Sequence, residues 1–155
     1  MENKKIVITY GTFDMFHIGH LNLLKRMKVF GDTLIVAVST DQFNEIKGKK
    51  TLIPFEQRSA IVESIRYVDK VIPENNWKQK IEDVQKMDVD TFIIGDDWKG
   101  KFDFLTEYCE VIYLERTKDI STSMLKKSMS SFLSIPKEDV LRAFEIIETL
   151  KKDFE

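Results

Sequence analysis

The chain has 155 residues, 43% of them hydrophobic, with 24 basic and 26 acidic side chains and a formal net charge of −2 at pH 7. That supplies the core of one ordinary domain and excludes the global basic field that nonspecific nucleic-acid binding uses. One cysteine, Cys109, excludes an intrachain disulfide, and the longest apolar runs, such as Leu34-Ile35-Val36-Ala37-Val38, are too short to span a bilayer. Nothing after Met1 resembles a secretory h-region, so a soluble, cytoplasmic protein with neither nucleic-acid nor membrane partner is expected.

In chain order, short β-branched runs predict strands at 5–10, 33–39, 70–72, 91–95 and 110–114. Between them, helical spacing predicts helices at 18–30, from Pro54 to about 65, at 77–86 and, short, at 102–108. The fold class is therefore α/β: a Rossmann-like, doubly wound, five-stranded parallel sheet with helices on both faces. Residues 45–50, with three lysines around a glycine, read as a mobile loop. Ser121-Thr122-Ser123 offers an N-cap for a helix through about 130, and Pro136 starts a last one that reaches Phe154. The domain division expected is 1–131, with a helical extension at 132–155. Its apolar stripe, Val140, Leu141, Phe144, Ile147, Leu150 and Phe154, either covers the same domain or makes an oligomer contact.

Sheets of this kind bind ligands beyond the carboxyl ends of the strands, where the winding reverses, which sets the first and fourth strands side by side. The distinctive residues collect there: Gly11-Thr12-Phe13-Asp14 through His20 after the first strand, Gly95-Asp96-Asp97-Trp98 after the fourth, and Arg116 through Thr122 after the fifth. His17 and His20, the only histidines, straddle the start of a helix, where free N–H groups and the dipole favour an anion that Gly19 lets approach. Arg116 with Ser121 and Thr122 forms a second phosphate cradle at another helix start. Lys47 and Lys49, by themselves an ordinary solvated pair, stand in the loop after the second strand, where they can close over the pocket. The two histidines lack a third ligand, so no protein metal site is expected, whereas magnesium carried on a nucleotide triphosphate needs few protein ligands. Neither a GxxxxGK[ST] loop nor a GxGxxG fingerprint is present.

His17-Ile18-Gly19-His20 together with Arg116-Thr117-Lys118-Asp119-Ile120-Ser121-Thr122 resembles the HxGH and RTEGIST pair of the cytidylyltransferases, within the wider HxGH nucleotidylyltransferase superfamily. More narrowly it resembles the bacterial members that act on glycerol 3-phosphate, through Ser39-Thr40-Asp41, Ile65-Arg66-Tyr67-Val68-Asp69, Val71-Ile72-Pro73-Glu74, Asn76-Trp77 and Gly95-Asp96-Asp97-Trp98. The resemblance implies transfer of the cytidylyl group of CTP to glycerol 3-phosphate by a magnesium-dependent homodimer, for teichoic-acid or capsular polymer synthesis. It implies His17, His20, Lys49 and Arg116 as catalytic residues. CTP would be held by these with Thr12, Phe13, Asp14, Gly19, Asp97, Thr117, Ile120, Ser121, Thr122 and Ser123, and the second substrate by Lys47, Lys80, Asp41, Arg66 and Trp77. Lys118 and Asp119 depart from the family's glutamate and glycine, so the turn is expected to differ slightly, since aspartate tolerates left-handed angles less readily than glycine. A different small alcohol phosphate, such as phosphocholine, and a binding module without turnover are the competing readings.

Overall fold

The computed structural model describes residues 4–152, the side chain of residue 132 apart. Five strands form one parallel sheet in the order β3-β2-β1-β4-β5: β1 Ile6–Gly11, β2 Thr33–Ser39, β3 Lys70–Glu74, β4 Thr91–Gly95 and β5 Glu110–Leu114. The helices are α1 Ile18–Lys28, α2 Asp41–Ile46, α3 Phe55–Glu63, α4 Gln79–Lys86, α5 Thr122–Leu133 and α6 Lys137–Lys152, with 3-10 turns at Asp96–Trp98 and Asp103–Glu107. The doubly wound α/β reading is the observed architecture. By contact density the chain divides into two compact units, Met1–Ile120 and Ser121–Glu155.

The central strands are unbroken apolar runs because both faces of the sheet are covered. Val7, Val36 and Ile93 pack on one side with Leu24, Met27 and Val62 of α1 and α3. Ile8, Ala37 and Phe92 pack on the other with Val84 of α4 and with Phe102 and Leu105. Each of these valine, isoleucine, leucine, methionine and phenylalanine side chains removed from water contributes about 1.5–3 kcal/mol, which makes the strand ends a rigid platform.

Four differences from the predicted elements have local causes. β3 continues through Pro73 to Glu74 because it is an edge strand, where proline's missing N–H costs no ladder bond. α4 starts at Gln79 instead of 77, its backbone N–H held 2.9 Å from Asn76 Oδ1 in a side-chain turn. The expected short helix after β4 is a 3-10 turn at Asp103–Glu107. The start of the expected 45–50 loop belongs to α2, capped by the Thr40 side chain, which accepts from Phe43 N–H at 3.2 Å. In the second unit, α6 ends at Lys152, and Phe154 lies outside the described residues.

Candidate active site

All five parallel strands point their carboxyl ends to one edge, and two groups of side chains gather there. The first is built on the amino end of α1. His17 is its N-cap: Nδ1 accepts from Gly19 N–H at 3.1 Å, while His20 Nδ1 accepts from His17 N–H at 3.2 Å. Both rings thus use Nδ1 as an acceptor, which places the proton on Nε2 and makes that N–H the donor of each imidazole. The rings stack with centroids 3.9 Å apart, and Phe13 and Phe16 lie against His20. Burial, then Arg116, lowers the pKa of His17, and burial, His17 and Arg116 push His20 down to about 3, against the opposing charge of Asp14. The pair is therefore neutral at pH 7.

The His17 ring also requires glycine at position 19. Its N–H already serves His17, and a Cβ there would stand 2.8 Å from His17 Cε1 and 3.2 Å from Ile120 Cγ2. The glycine lets the His17 ring fold back over the helix start. Phe13 and Met15 adopt left-handed backbone angles, φ 53 and 50, so the turn that delivers the histidines carries local strain.

Arg116 closes the group from β5. Its Nη1 lies 3.2 Å from Asp97 Oδ2, and a Cβ on Gly95 would meet Asp97 Oδ1 at 2.7 Å, so the glycine makes room for this arrangement. Both partners are about half exposed, so the pair orients the guanidinium and adds little stability. Arg26 of α1 donates to Glu115 O at 2.6 Å, and Asn22 Nδ2 lies 3.5 Å from Thr117 Oγ1, which ties this segment to α1. Asp119 adopts φ 62, the left-handed conformation that glycine favours, so the aspartate keeps a glycine-like turn at some conformational cost. In the second unit Ser121 caps α5, accepting from Met124 N–H at 3.1 Å, with Thr122 and Ser123 in the first turn.

The second group lies where β2 and β3 end. Lys80 is 1% exposed, its Nζ 2.5 Å from Glu74 Oε1 and 4.4, 5.0 and 5.4 Å from the ring centres of Tyr10, Trp77 and Phe102. The Ser39 hydroxyl bonds to the other Glu74 oxygen, and Lys47 Nζ lies 2.8 Å from Ser39 Oγ, 3.7 Å from Glu74 Oε2 and 4.4 Å from the Phe43 ring centre. Burial lowers the Lys47 pKa to about 8; Lys49 and Lys80 push the same way and Glu74 opposes them. Two formal ammoniums thus face one carboxylate, a surplus of one positive charge in an aromatic box. Buried surplus charge calls for an anionic ligand. Lys49, from the loop after α2, sits 5.5 Å from the Trp98 ring centre, beside Asp97 in sequence.

Three residues offered as binders do other work in this chain. Asp14 is buried and accepts from Leu52 N–H at 2.9 Å and Ile53 N–H at 3.0 Å, anchoring the loop that follows the lysines. Asp41 accepts from Phe55 N–H, Thr51 Oγ1 and Arg58 Nη2; the Phe55 bond, with Arg58 and Thr51, holds its carboxyl below the usual range. Arg66 is exposed in the turn leading to the amino end of β3, the edge opposite the other candidates, so it cannot serve this chain's own pocket. Arg58 is a further structural residue of this edge: buried to 1% exposure, it donates to Ile53 O, Thr12 O, Ser39 O and Asp41, fastening the ends of β1 and β2 together. Its place between Phe55 and Val62 on the apolar face of α3 is the signal that marks it. Thr12 adds a bond from Oγ1 to Asn44 Oδ1 at 3.0 Å.

Residues 8–128 match the model of the cytidylyltransferase-like family. The chain belongs to that family. It is 64% identical over 127 residues to a glycerol-3-phosphate cytidylyltransferase of Bacillus spizizenii, covering 82% of this chain and 98% of the relative. It is 58% identical over 125 residues to one of Staphylococcus aureus, covering 81% and 95%. Among solved structures, a lipopolysaccharide core biosynthesis protein of Thermoplasma volcanium superposes with a TM-score of 0.68 at 23% identity, over 75% of this chain and all of that one; this shows the shared fold. The cytidylyltransferase fold thus carries both residue groups on one sheet edge.

Proposed function

We propose that this cytidylyltransferase transfers the cytidylyl group of CTP to sn-glycerol 3-phosphate, giving CDP-glycerol and pyrophosphate for teichoic-acid or capsular polymer synthesis. The observation that carries the reading is the pair of anion-seeking groups, one at the α1 start and one around Lys80, on the same edge of the sheet. The relatives' names supply the two substrates that such a pair accommodates.

A phosphate oxygen of glycerol 3-phosphate attacks the α-phosphorus of CTP, and the bond to pyrophosphate breaks. The nucleophile is already an anion, so no general base is needed. His17 and His20 then act as neutral Nε2–H donors to charge that builds on the α-phosphate and the leaving group. Arg116 and Lys49 add positive charge on the triphosphate, with Thr12, Phe13, Gly19, Asp97 and Thr117 shaping its seat and Ser121, Thr122 and Ser123 carried over from the family motif. Lys80, Lys47 and Trp77 hold the acceptor phosphate. The aromatic box is filled by the protein's own ammoniums, which supports a phosphate carried on an uncharged polyol over phosphocholine, whose quaternary cation would seek those same ring faces.

Magnesium enters as part of the nucleotide substrate. That ion needs few protein ligands, since the phosphates hold it. We further propose a homodimer that works in the cytoplasm. No helix among the described residues is long and apolar enough to cross a membrane. The catalytic domain is taken as 1–131, since the family match runs into α5.

Pyrophosphate release measured across CTP, ATP, GTP and UTP, each with glycerol 3-phosphate or phosphocholine, tests the assignment. CTP with glycerol 3-phosphate is expected to exceed every other pair; equal rates with ATP, or faster release with phosphocholine, would remove it. The lowered Lys47 pKa adds a pH signature. As pH rises through about 8 in the free enzyme, Lys47 loses its proton, and kcat/KM for glycerol 3-phosphate is expected to fall by up to about tenfold per pH unit. Lys47→Arg, whose guanidinium stays charged, is expected to abolish that alkaline limb whatever its basal rate. An unchanged limb in the variant would show that Lys47 is not the titrating group.

A further inference from the structure

A carboxylate at the end of an edge strand could face water, yet Glu74 is 3% exposed and bonded among the lysines. Its register partner on β2 is Ser39, itself fully buried, and the Glu74 carbonyl accepts from Thr40 N–H at 3.0 Å. The backbone thus fixes the carboxylate beside that hydroxyl. One carboxylate oxygen takes the Lys80 ammonium and the other the Ser39 hydroxyl. The single hydroxyl proton goes to this nearer, charged acceptor and not to Gly11 O at 3.3 Å, which leaves Ser39 Oγ a lone pair for Lys47 Nζ at 2.8 Å.

Among the described residues no other carboxylate lies within ion-pair distance of either ammonium. Asp83 of α4 is committed elsewhere, accepting from Tyr10 OH at 2.7 Å and from Gln79 Nε2 at 2.9 Å. The other neighbours of the two ammoniums are the rings of Tyr10, Phe43, Trp77 and Phe102, and the charges that act on Lys47 besides Glu74 are the positive Lys80 and Lys49. Without the carboxylate, like charges and burial would act on Lys47 unopposed, and its pKa, about 8 in the native chain, would fall. At lower pH the same loss has the other sign, because two ammoniums without a carboxylate attract a phosphate dianion at least as well.

We infer that Glu74 is a positioning residue for the acceptor: in the free enzyme it stands in for the phosphate, holding Lys80 directly and Lys47 through Ser39, so that both ammoniums stay charged and converge until glycerol 3-phosphate bridges them. The inference rests on the acceptor site proposed above. Its test is the pH profile of kcat/KM for glycerol 3-phosphate in Glu74→Gln. The alkaline limb is expected at least about one pH unit below that of the wild type, which makes the variant roughly tenfold slower at pH 9. At pH 6 the two are expected to agree within about twofold, and KM for CTP to stay within about twofold throughout. Adding Lys47→Arg to Glu74→Gln is expected to remove the limb; a limb that remains overturns Lys47 as the group Glu74 serves. Ser39→Ala, which deletes one oxygen, is expected to move the limb the same way and provides the test if Glu74→Gln does not fold. A limb at the wild-type pH in these variants overturns the inference, as does a loss equal at every pH or shared with CTP, the signature of a purely structural carboxylate. A wild type that forms no CDP-glycerol overturns the acceptor site itself, and that result is separate because it involves no variant.

Discussion

Alanine at His17 or at His20 is expected to lower kcat by roughly a hundred- to a thousandfold, or about 2.7–4 kcal/mol, with a much smaller change in KM for CTP. The reason is geometric. Both rings commit Nδ1 to the backbone at the start of α1, which fixes Nε2–H as the donor and presents two such donors side by side. Such donors act most strongly where charge develops in the transition state, and they need no reorganisation to do so. Neutral rings with depressed pKa values suit donation and not proton abstraction at pH 7. His17 also caps the helix, so its alanine variant loses about 1 kcal/mol of stability as well. His17→Asn separates the two roles, because asparagine is a good N-cap without an imidazole. It is expected to melt like the wild type while keeping the low kcat. Near-normal turnover in either alanine variant would mean that the imidazoles only cap.

The second large effect concerns the buried pair of Lys80 and Glu74. Lys80→Met removes the 2.5 Å partner of a carboxylate at 3% exposure and leaves it Ser39 and, at 3.7 Å, Lys47, so loss of this charged hydrogen bond is expected to cost about 1.5–3 kcal/mol of stability. The double variant Lys80→Met/Glu74→Gln removes both charges of the close pair, keeps an amide oxygen for Ser39 and Lys47, and is expected to recover part of that in thermal unfolding. What it does not recover is the acceptor site. Loss of a charged hydrogen bond to phosphate, about 1.5–3 kcal/mol, is expected to raise KM for glycerol 3-phosphate by roughly ten- to a hundredfold while KM for CTP stays within about twofold. A stable double variant with an unchanged KM for glycerol 3-phosphate would assign the pair to folding alone.

The legible parts of the chain are those where one local rule dominates. β2, β4 and β5 coincide with their predicted spans, because a strand covered on both faces reads as an uninterrupted apolar run. The two histidines and Arg116 stand out by spacing and by position after a strand. Less legible are residues whose work is set by contacts far away in sequence. Asp14 and Asp41 read as pocket carboxylates, yet their oxygens hold backbone N–H groups some 38 and 14 positions on. Glu74 is the hub of the lysine group, but in the sequence it follows a proline and reads as the end of a strand. The short α2 was hidden because Thr40 and Asp41, an ordinary N-cap pair, run directly into the lysine-rich turn that dominates the local composition.

The central claim is that cytidylyl transfer to glycerol 3-phosphate occurs on this sheet edge, and product mass tests it most directly. Incubated with CTP, magnesium and glycerol 3-phosphate, the wild-type protein is expected to form CDP-glycerol and pyrophosphate in equal amounts. The His20→Ala variant is expected to form the same products at a rate lower by about a hundredfold or more. Unchanged CTP, or CTP hydrolysed without a glycerol adduct, would contradict it.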